Sequence, residues 1–472
     1  MIRFGASGWR GVIAEEVTFA SVRRAAGAIS RHLQSTGQAS RGVFVGHDTR
    51  FLSERFASEA ARVMAAHGIP VACSHGALPT PAVAYAVRAG RRAAGITITA
   101  GQDPPEFSGL KLTVQGGSPA PDATTLAVES LARDAVESES SVVRGRRAAT
   151  RRSAAMRRAD VRAGYFRHLG RTARLAAIRR ARLRIACDPR HGASIGYLDG
   201  ILAKLARRLE VLHGTPHPEF CGVGPDCAET QLRPLARVVR RGGLHLGLAT
   251  DGDGDRFGIV DAGGAFVAPS LFLAVLADYL IGDRRMQGGI GRTIATTHLL
   301  DAVCAFHGRT LFETPVGFRH LAGRIVSRET FLACEEGGGL AVASHLPEKD
   351  GILAGLLAAE MVAVRRRPLR DQIRDLLARI GPLHSRRIDY HTDAAARDRL
   401  LRRLEMPPST FAGRRVARMD DTDGLKMVFG DGSWILIRPS GSESLVRCYI
   451  EGRTTRDLDN LTAAAREFIT RE

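Results

Sequence analysis

The chain has 472 residues, of which 44% are hydrophobic and 25% are charged, and this excludes both a disordered protein and a single small domain. Its formal net charge of +19 comes mostly from arginine spread along the chain. Without a recognised nucleic-acid module, that charge predicts weak, salt-sensitive contacts with polyanions and no specific nucleic-acid binding.

The sequence contains no signal for a membrane or for export. No stretch approaches the ~18 consecutive apolar residues of a membrane-spanning helix, and the first residues lack the apolar core of a signal peptide. The seven cysteines are scattered and odd in number, which argues against a disulfide framework. We therefore expect a cytoplasmic protein with reduced thiols and no membrane partner.

From Val43 onward, short apolar strands alternate with amphipathic helices, as in "VFVGHDTR" followed by "SERFASEAARVMAAHG". This alternation predicts α/β domains with mixed or mostly parallel sheets, which bind ligands at the carboxyl ends of their strands. Because the pattern restarts twice, we predict three such domains, over residues 1–150, 151–262 and 263–380. The arginine-rich segment Arg144–Arg162 is predicted to be a connecting helix or linker. Residues 381–472 predict hairpin strands, with "GDG" as a turn, in a smaller α+β domain.

The stretch "GITITAGQDPPEFSGLKL", Gly95 to Leu112, predicts a strand that ends in a loop rich in proline and glycine. A polar loop in this position is suited to presenting reactive side chains. Its tip, Gly101, has no side chain to present.

A second loop brings acidic residues together. In "ATDGDGDRFGIV", Asp251, Asp253 and Asp255 alternate with glycine directly after a predicted strand. Side chains two residues apart in an extended loop project to the same side, so the carboxylates converge and need a cation. Oxygen ligands suit Mg²⁺. An acidic turn and the aspartate nucleophile of a phosphatase remain alternatives, whereas an EF-hand is disfavoured because Arg256 stands where that loop needs glycine.

Other candidate sites are less specific. "IRPSGSES" places Arg438 beside a glycine between two serines, and a guanidinium fork with hydroxyls and free amides forms a phosphate cradle. "CEEGGGLAVASHLPEKDG" combines two carboxylates with glycines that allow close approach to sugar hydroxyls. A serine-rich turn and an ordinary surface loop are the respective alternatives. A zinc site is disfavoured because its candidate ligands contain no compact Cys-x-x-Cys pair; they are His213, His217, Cys221 and Cys227.

Taken in chain order, these motifs resemble the α-D-phosphohexomutase family, the bacterial phosphoglucomutases and phosphomannomutases. Similar stretches run from "FGASGWRGVIAEEVTF" through "DGDGDR", "ETPVGFR" and "EEGGGLAVASHLPEKDGI" to "RPSGSE". The resemblance implies four domains, three α/β and a smaller fourth, around a central cleft. It also implies transfer of phosphate between C1 and C6 of a hexose such as glucose or mannose. In the family a phosphoserine donates the phosphoryl group, Mg²⁺ contacts the serine phosphate, and a hexose 1,6-bisphosphate is the intermediate or activator.

The resemblance assigns roles to individual residues. Arg10 and Lys111 would be catalytic, and Asp251, Asp253 and Asp255 would hold the metal. The phosphorylated hexose would be bound by side chains and backbone of the later loops, namely Arg256, Arg319, Glu335, Glu336, His345, Lys349, Arg438, Ser440, Gly441 and Ser442.

One departure from the family concerns its nucleophile loop, Thr-Ala-Ser-His-Asn-Pro. The aligned residues run from Thr99 to Pro104, with Gly101 in place of the serine and Gln102 in place of the histidine. Glycine cannot carry a phosphoryl group, and the nearest hydroxyls, on Thr99 and Ser108, are displaced along the chain. We therefore predict impaired mutase turnover, with a non-catalytic phosphosugar-binding protein or a phosphosugar enzyme of altered chemistry as alternatives.

Overall fold

The structure, a computed structural model, describes residues 1–141, 154–439 and 445–470. The chain forms two compact units. The first unit comprises Met1–Ala268, Phe318–Ala333 and Gly337–Arg370. The second comprises Pro269–Gly317, Cys334–Glu336 and Asp371–Glu472. No helix within the described residues is both long and apolar enough to cross a membrane.

The first sheet of the first unit is mixed, with the strand order β1-β5-β4-β2-β3-β7 and with β6 paired to β5. Strands β2, β3 and β4 are parallel, and β5 runs antiparallel to β4. Its elements are β1 Trp9–Val12, α1 Phe19–Ser35, β2 Val43–His47, α2 Ser53–Ala66, β3 Val71–Cys73, α3 Thr80–Ala89, β4 Ala94–Ile98, β5 Phe107–Val114, β6 Ser118–Pro119, α4 Asp122–Ser141 and β7 Met156–Arg158.

One expectation for this region is wrong. Met156–Arg158, within the segment predicted as a connecting helix or linker, forms strand β7, which pairs in parallel with β3. Residues 144–153, the arginine-rich start of that segment, lie outside the described residues.

The second sheet has the order β12-β11-β10-β8-β9. Strand β10 is parallel to β8 and antiparallel to β11, so the loops that follow β8 and β10 lie at the same edge. Its elements are α5 Arg162–Thr172, α6 Leu175–Ala181, β8 Arg184–Asp188, α7 Leu198–Leu202, β9 Arg208–Val211, α8 Arg233–Arg241, β10 Leu246–Thr250, β11 Phe257–Asp261 and β12 Ala265–Val267.

The next elements divide between the two units. Strands β13 and β14 pair in parallel within the second unit. Helix α12, in the first unit, is buried along most of its length. Asp350 caps its N-terminus, and its side chain accepts a hydrogen bond from the Leu353 amide. The elements are α9 Pro269–Gly282, β13 Gly289–Thr293, α10 Leu299–His307, β14 Leu311–Thr314, α11 Phe318–Val326, β15 Thr330–Glu335, β16 Gly339–Val342, α12 Gly351–Arg365 and α13 Leu369–Ile380.

The C-terminal part of the second unit is a sheet of order β17-β22-β21-β20-β19-β18, packed on α15 through an apolar core. The predicted "GDG" turn joins β20 to β21 in an antiparallel hairpin. The elements are β17 His384–His391, α14 Ala394–Leu404, β18 Thr410–Phe411, β19 Arg414–Asp420, β20 Leu425–Phe429, β21 Trp434–Pro439, β22 Leu445–Gly452 and α15 Thr455–Thr470. The predicted fold class, α/β domains followed by a smaller α+β domain, is confirmed; the four domain boundaries stay a prediction.

Candidate active site

The loop around Gly101 is held by one buried ion pair. Arg50 and Asp48 follow strand β2, and both side chains are fully buried, with Arg50 Nε 3.0 Å from Asp48 Oδ2. The Arg50 guanidinium donates to four main-chain carbonyls of the neighbouring loop, those of Gly101, Asp103, Pro104 and Phe107, at 2.6–3.0 Å. The backbone of residues 101–107 is therefore held by a side chain that lies outside the loop.

The acidic loop follows strand β10 in the first unit. One carboxylate oxygen from each of Asp251, Asp253 and Asp255 lies within 4.8 Å of the others, and all three residues are buried. Among the described residues, no hydrogen-bond donor reaches Asp251 Oδ2 or Asp253 Oδ1. Buried acceptors without donors are costly unless a ligand completes them. Oxygen-only donors of this kind fit Mg²⁺.

Two lysines balance the acidic loop. The Nζ atom of Lys111, from β5, lies 2.5 Å from Asp253 Oδ2 and 2.5 Å from Asp255 Oδ2, and Lys349 Nζ lies 3.0 Å from Asp255 Oδ2. Burial alone would lower the pKa of Lys111, but the Asp253 and Asp255 carboxylates raise it above its usual value. Burial and the neighbouring carboxylates raise the pKa of Asp251, whereas the two lysines outweigh burial and lower the pKa of Asp255. The loop therefore combines carboxylate oxygens that are paired with lysines and oxygens that no donor reaches among the described residues.

Gly101 lies directly against this cluster. A β-carbon at position 101 would lie 3.1 Å from Arg10 Nη2, 3.5 Å from Asp253 Oδ1 and 3.7 Å from Lys111 Nζ. The residue has a φ of +62°, a left-handed conformation that glycine adopts without strain. Arg10 itself is held by Asp103, with Nη1 2.8 Å from Oδ1. A side chain at this position would thus face two cations and an unpartnered carboxylate oxygen.

The structure places Arg256 and Arg319 in the first unit as well. Arg256 Nη1 donates to Gln102 Oε1 at 2.6 Å, so the residue beside Gly101 has a defined partner. Arg319 Nε lies 2.6 Å from Asp122 Oδ1. Arg319, Lys111, Lys349 and Asp255 line one cavity. The predicted catalytic and metal residues of this unit are therefore brought together.

His345 has a different environment. Its side chain is fully buried, and Nε2 lies 2.7 Å from Asp350 Oδ2, which also accepts from the Tyr165 hydroxyl at 2.6 Å. The imidazole stacks on His168 with ring centroids 4.7 Å apart. These neighbours are core residues. The predicted contact between His345 and the substrate stays a prediction.

The remaining predicted residues belong to the second unit. Glu336 Oε2 lies 3.6 Å from Arg387 Nη1, and Glu335 ends strand β15. Arg438, near the end of β21, is paired with Asp423 at 2.7 Å. Ser440, Gly441 and Ser442 lie outside the described residues.

Several site residues are not among those predicted from the sequence. Asp48 and Arg50 lie in "VFVGHDTR", which predicts a strand; polar residues directly after a buried strand are the signal that could identify them. Thr80 Oγ1 donates to Asp253 Oδ2 at 2.5 Å, and no spacing in the sequence relates these distant residues. The zinc alternative gains no support, since only the three aspartates form a metal-type cluster among the described residues.

Family models match most of the chain in the order of its domains. They describe the phosphoglucomutase/phosphomannomutase α/β/α domains I, II and III at residues 1–139, 163–264 and 269–380, and the C-terminal domain at residues 396–468. A crystal structure of a phosphomannomutase candidate from Thermus thermophilus is 32% identical, covers 99% of both chains and has a TM-score of 0.85.

The chain belongs to the α-D-phosphohexomutase superfamily. Its relatives carry different substrate names. A Komagataeibacter xylinus phosphoglucomutase is 28% identical over 95% of this chain and 87% of its own length. A Rhodospirillum rubrum phosphoglucosamine mutase is 27% identical over 95% of this chain and 94% of its own length. Similarity therefore establishes the phosphohexomutase superfamily and leaves the hexose open.

Proposed function

We propose that this phosphohexomutase-superfamily protein binds a phosphorylated hexose and Mg²⁺ at the Gly101 site, and that its interconversion of hexose 1-phosphate and hexose 6-phosphate is impaired. One observation carries the proposal: the position facing Arg10, Lys111 and Asp253 is occupied by a glycine. The surrounding charges suit a phosphoryl group, but the position offers no hydroxyl to accept one.

Asp251, Asp253 and Asp255 would hold the Mg²⁺, because two of their oxygens are buried acceptors without donors among the described residues. The ion would supply positive charge to phosphoryl oxygens during transfer. Arg10 and Lys111 would neutralise and orient the same phosphoryl group. Lys349 and Arg256, both next to the acidic loop, would bind the sugar phosphate from the other side.

The substrate's second phosphate would be bound by Arg438 with Ser440, Gly441 and Ser442, since a guanidinium and backbone amides match phosphate geometry. Glu335 and Glu336 would accept hydrogen bonds from sugar hydroxyls. We propose that Arg319 contacts the same ligand, as it lines a cavity with Lys111 and Lys349. His345, predicted as a substrate-binding residue, is buried against Asp350 and would act on the ligand through the loop that carries Lys349.

Neighbouring hydroxyls are poor replacements for the missing nucleophile. Thr99 Oγ1 donates to Asp48 Oδ2 at 2.6 Å and accepts from the Gly101 amide at 2.9 Å. Ser108 is fully buried on β5. In-line phosphoryl transfer depends on positioning, and an error of ~1 Å costs about 100-fold in rate. These constraints support impairment over rescue.

A non-catalytic phosphosugar-binding protein is the second candidate, and the same missing hydroxyl favours it. The two candidates differ in whether any transfer occurs, for instance from a hexose 1,6-bisphosphate supplied as activator. Calorimetry with glucose 6-phosphate tests binding, and a coupled assay with glucose 1-phosphate tests turnover.

The decisive comparison is between Gly101→Ser and Gly101→Ala, each combined with Gln102→His. Both variants place a β-carbon at a left-handed residue, which costs about 1–2 kcal/mol of stability, so they differ only in the hydroxyl. Of the two, we expect only the Gly101→Ser variant to raise turnover and to become phosphorylated by glucose 1,6-bisphosphate, as seen by mass spectrometry. Wild-type turnover at rates usual for enzymes, about 1–1000 per second, would contradict impairment.

A further inference from the structure

The side chain of Asp423, in the turn before β20, connects two parts of the second unit. Its Oδ1 atom accepts from Arg438 Nε at 2.7 Å, and its Oδ2 atom accepts from the Val316 amide at 2.9 Å. Both side chains of the ion pair are largely shielded, with 16% of Arg438 and 21% of Asp423 exposed. A shielded charge-assisted hydrogen bond is stronger than one in open solvent.

The turn that carries Asp423 is tightly packed against the strand that carries Arg438. Gly424 has a φ of +94°, and a β-carbon there would lie 2.5 Å from the Ile437 carbonyl oxygen and 3.0 Å from Arg438 Cα. Leu425 pairs with Ile437 in the β20–β21 register. These contacts fix the position of the Asp423 carboxylate beside Arg438.

The other end of the link is equally rigid. Val316 packs against a buried apolar cluster that includes Trp434 and Leu436 of β21. Because Asp423 accepts from the Val316 amide, its carboxylate cannot rotate away from Arg438 without losing a second hydrogen bond. The guanidinium is thus held at Nε, and the hydrogen bonds within the described residues use neither of its Nη groups, which are the donors that would face a ligand.

We propose that Asp423 is a positioning residue that holds the Arg438 guanidinium ready for a phosphate oxyanion. This inference rests on the proposed role of Arg438 in binding the substrate's second phosphate. Ordering a long arginine side chain on binding costs conformational entropy, and an arginine already anchored at Nε avoids part of that cost. A phosphate ligand then meets a planar donor pair in a single orientation.

The test is a double-mutant cycle on the full-length protein, with glucose 6-phosphate affinity measured by calorimetry. Asp423→Asn keeps the shape of the side chain but can accept from only one of the two donors. We expect it to weaken binding roughly fivefold, which is about 1 kcal/mol. In the Arg438→Ala background the same change should have less than about a twofold effect, because the residue it positions is gone.

Arg438→Lys provides a second measurement that leaves the Asp423–Val316 hydrogen bond in place. Lysine keeps the charge but has no Nε–H to donate to the carboxylate, so Asp423→Asn should add little to its effect. Asp421→Ala, an exposed aspartate in the same turn, is the matched charge control and should bind like wild type.

The outcomes separate this inference from the function on which it rests. An equal loss from Asp423→Asn with and without Arg438 would indicate a general structural role and overturn positioning. Full affinity in Asp423→Asn, together with weak binding in Arg438→Ala, would overturn positioning and leave the phosphate site standing. Full affinity in Arg438→Ala would overturn both.

Discussion

Each unit of the protein contains a buried cluster of charges, and the two clusters differ in how completely they are satisfied. In the first unit, the acidic cluster of Asp251, Asp253 and Asp255 with Lys111 has two carboxylate oxygens that no donor among the described residues reaches. In the second, the arginine cluster pairs Arg292 with Asp301 and Glu313, and pairs Lys426 with Glu313.

The arginine cluster is closed by further contacts. Lys426 Nζ donates to the Ile294 carbonyl at 2.8 Å and lies 4.6 Å from the centre of the Trp434 ring. Burial opposes ionisation of Glu313, but Arg292 and Lys426 lower its pKa below the usual value. In the acidic cluster the pKa of Asp251 is raised instead. A buried charge cluster therefore indicates a ligand site when buried acceptors lack donors among the described residues, as in the acidic cluster, and a structural role when none do, as in the arginine cluster.

The largest expected effect on stability comes from removing a carboxylate of the arginine cluster. Glu313→Ala removes the carboxylate between Arg292 and Lys426, both of which are almost completely buried. Arg292 keeps its pair with Asp301, so the charge left without a carboxylate is that of Lys426, and breaking such a buried pair costs about 3–5 kcal/mol. We expect that loss in the free energy of unfolding, measured by urea denaturation of the full-length protein.

Exposed Glu405→Ala is the matched control and should change stability by less than about 0.5 kcal/mol. Mg²⁺ affinity should be unaffected by both variants, because Glu313 is not among the aspartates of the acidic loop. An unchanged free energy of unfolding in Glu313→Ala would show that the ion pairs of the arginine cluster contribute little to stability.

A second prediction concerns Glu348, which is buried beside the acidic cluster. Burial raises its pKa to about 8. Its proton is bound more tightly in the folded state than in the unfolded state, so its contribution to stability is complete below pH ~4.5 and is lost as pH rises toward ~8. Glu348→Gln should remove that decline, which is at most about 1.4 kcal/mol per pH unit.

The measurement is the free energy of unfolding at half-unit steps from pH 5 to pH 8, compared between wild type and variant. Glutamine retains the oxygen that accepts from the Lys349 amide. Glu405→Gln, at an exposed position, should follow the wild-type profile. Parallel pH profiles of the free energy of unfolding for wild type and Glu348→Gln would mean that Glu348 does not cause the decline in stability.

The smallest expected effect on stability comes from Asp251→Asn, which removes one negative charge from the acidic cluster. Its Oδ1 accepts from the Arg256 amide, and asparagine can keep that bond. With chelator present, we expect no loss of thermal stability, because one like charge is removed from three neighbouring carboxylates. Mg²⁺ affinity should fall at least about tenfold, which is about 1.4 kcal/mol.

Calorimetric titration of Mg²⁺ checks this expectation, with Asp134→Asn at an exposed position as the control for net charge. Unchanged Mg²⁺ binding in Asp251→Asn would remove the acidic loop as the metal site. A large loss of stability of Asp251→Asn in chelator would mean that the acidic cluster supports the fold as much as the arginine cluster does.

Much of the fold could be predicted from the sequence because local signals agree with it. Alternating strands and helices predicted the α/β domains, and "GDG" predicted the hairpin between β20 and β21. Strand β7 could not be predicted, since "MRR" has no apolar alternation and forms a strand by pairing with β3. Tertiary pairing decided that segment.

The candidate site was predictable where residues that are close in sequence act together, as in the acidic loop. It was not predictable where distant residues meet. The link from Thr80 to Asp253 spans 173 positions, and that from Asp423 to Val316 spans 107. The environment of His345 could not be predicted either, because its partners Asp350 and Tyr165 are brought to it by tertiary packing, and its contact with substrate stays a prediction.

The grip of Arg50 on the Gly101 loop has a consequence for how this region can change over evolutionary time. Arg50 binds main-chain carbonyls, which every amino acid possesses, so these four hydrogen bonds do not depend on the side chains of the loop. A replacement at residues 101–103 keeps this main-chain anchor, and its cost is confined to the contacts that the loop's own residues make, such as the Arg10–Asp103 pair and the Arg256–Gln102 hydrogen bond. A catalytic group could therefore be lost there, or regained, by point mutation without loss of that anchor.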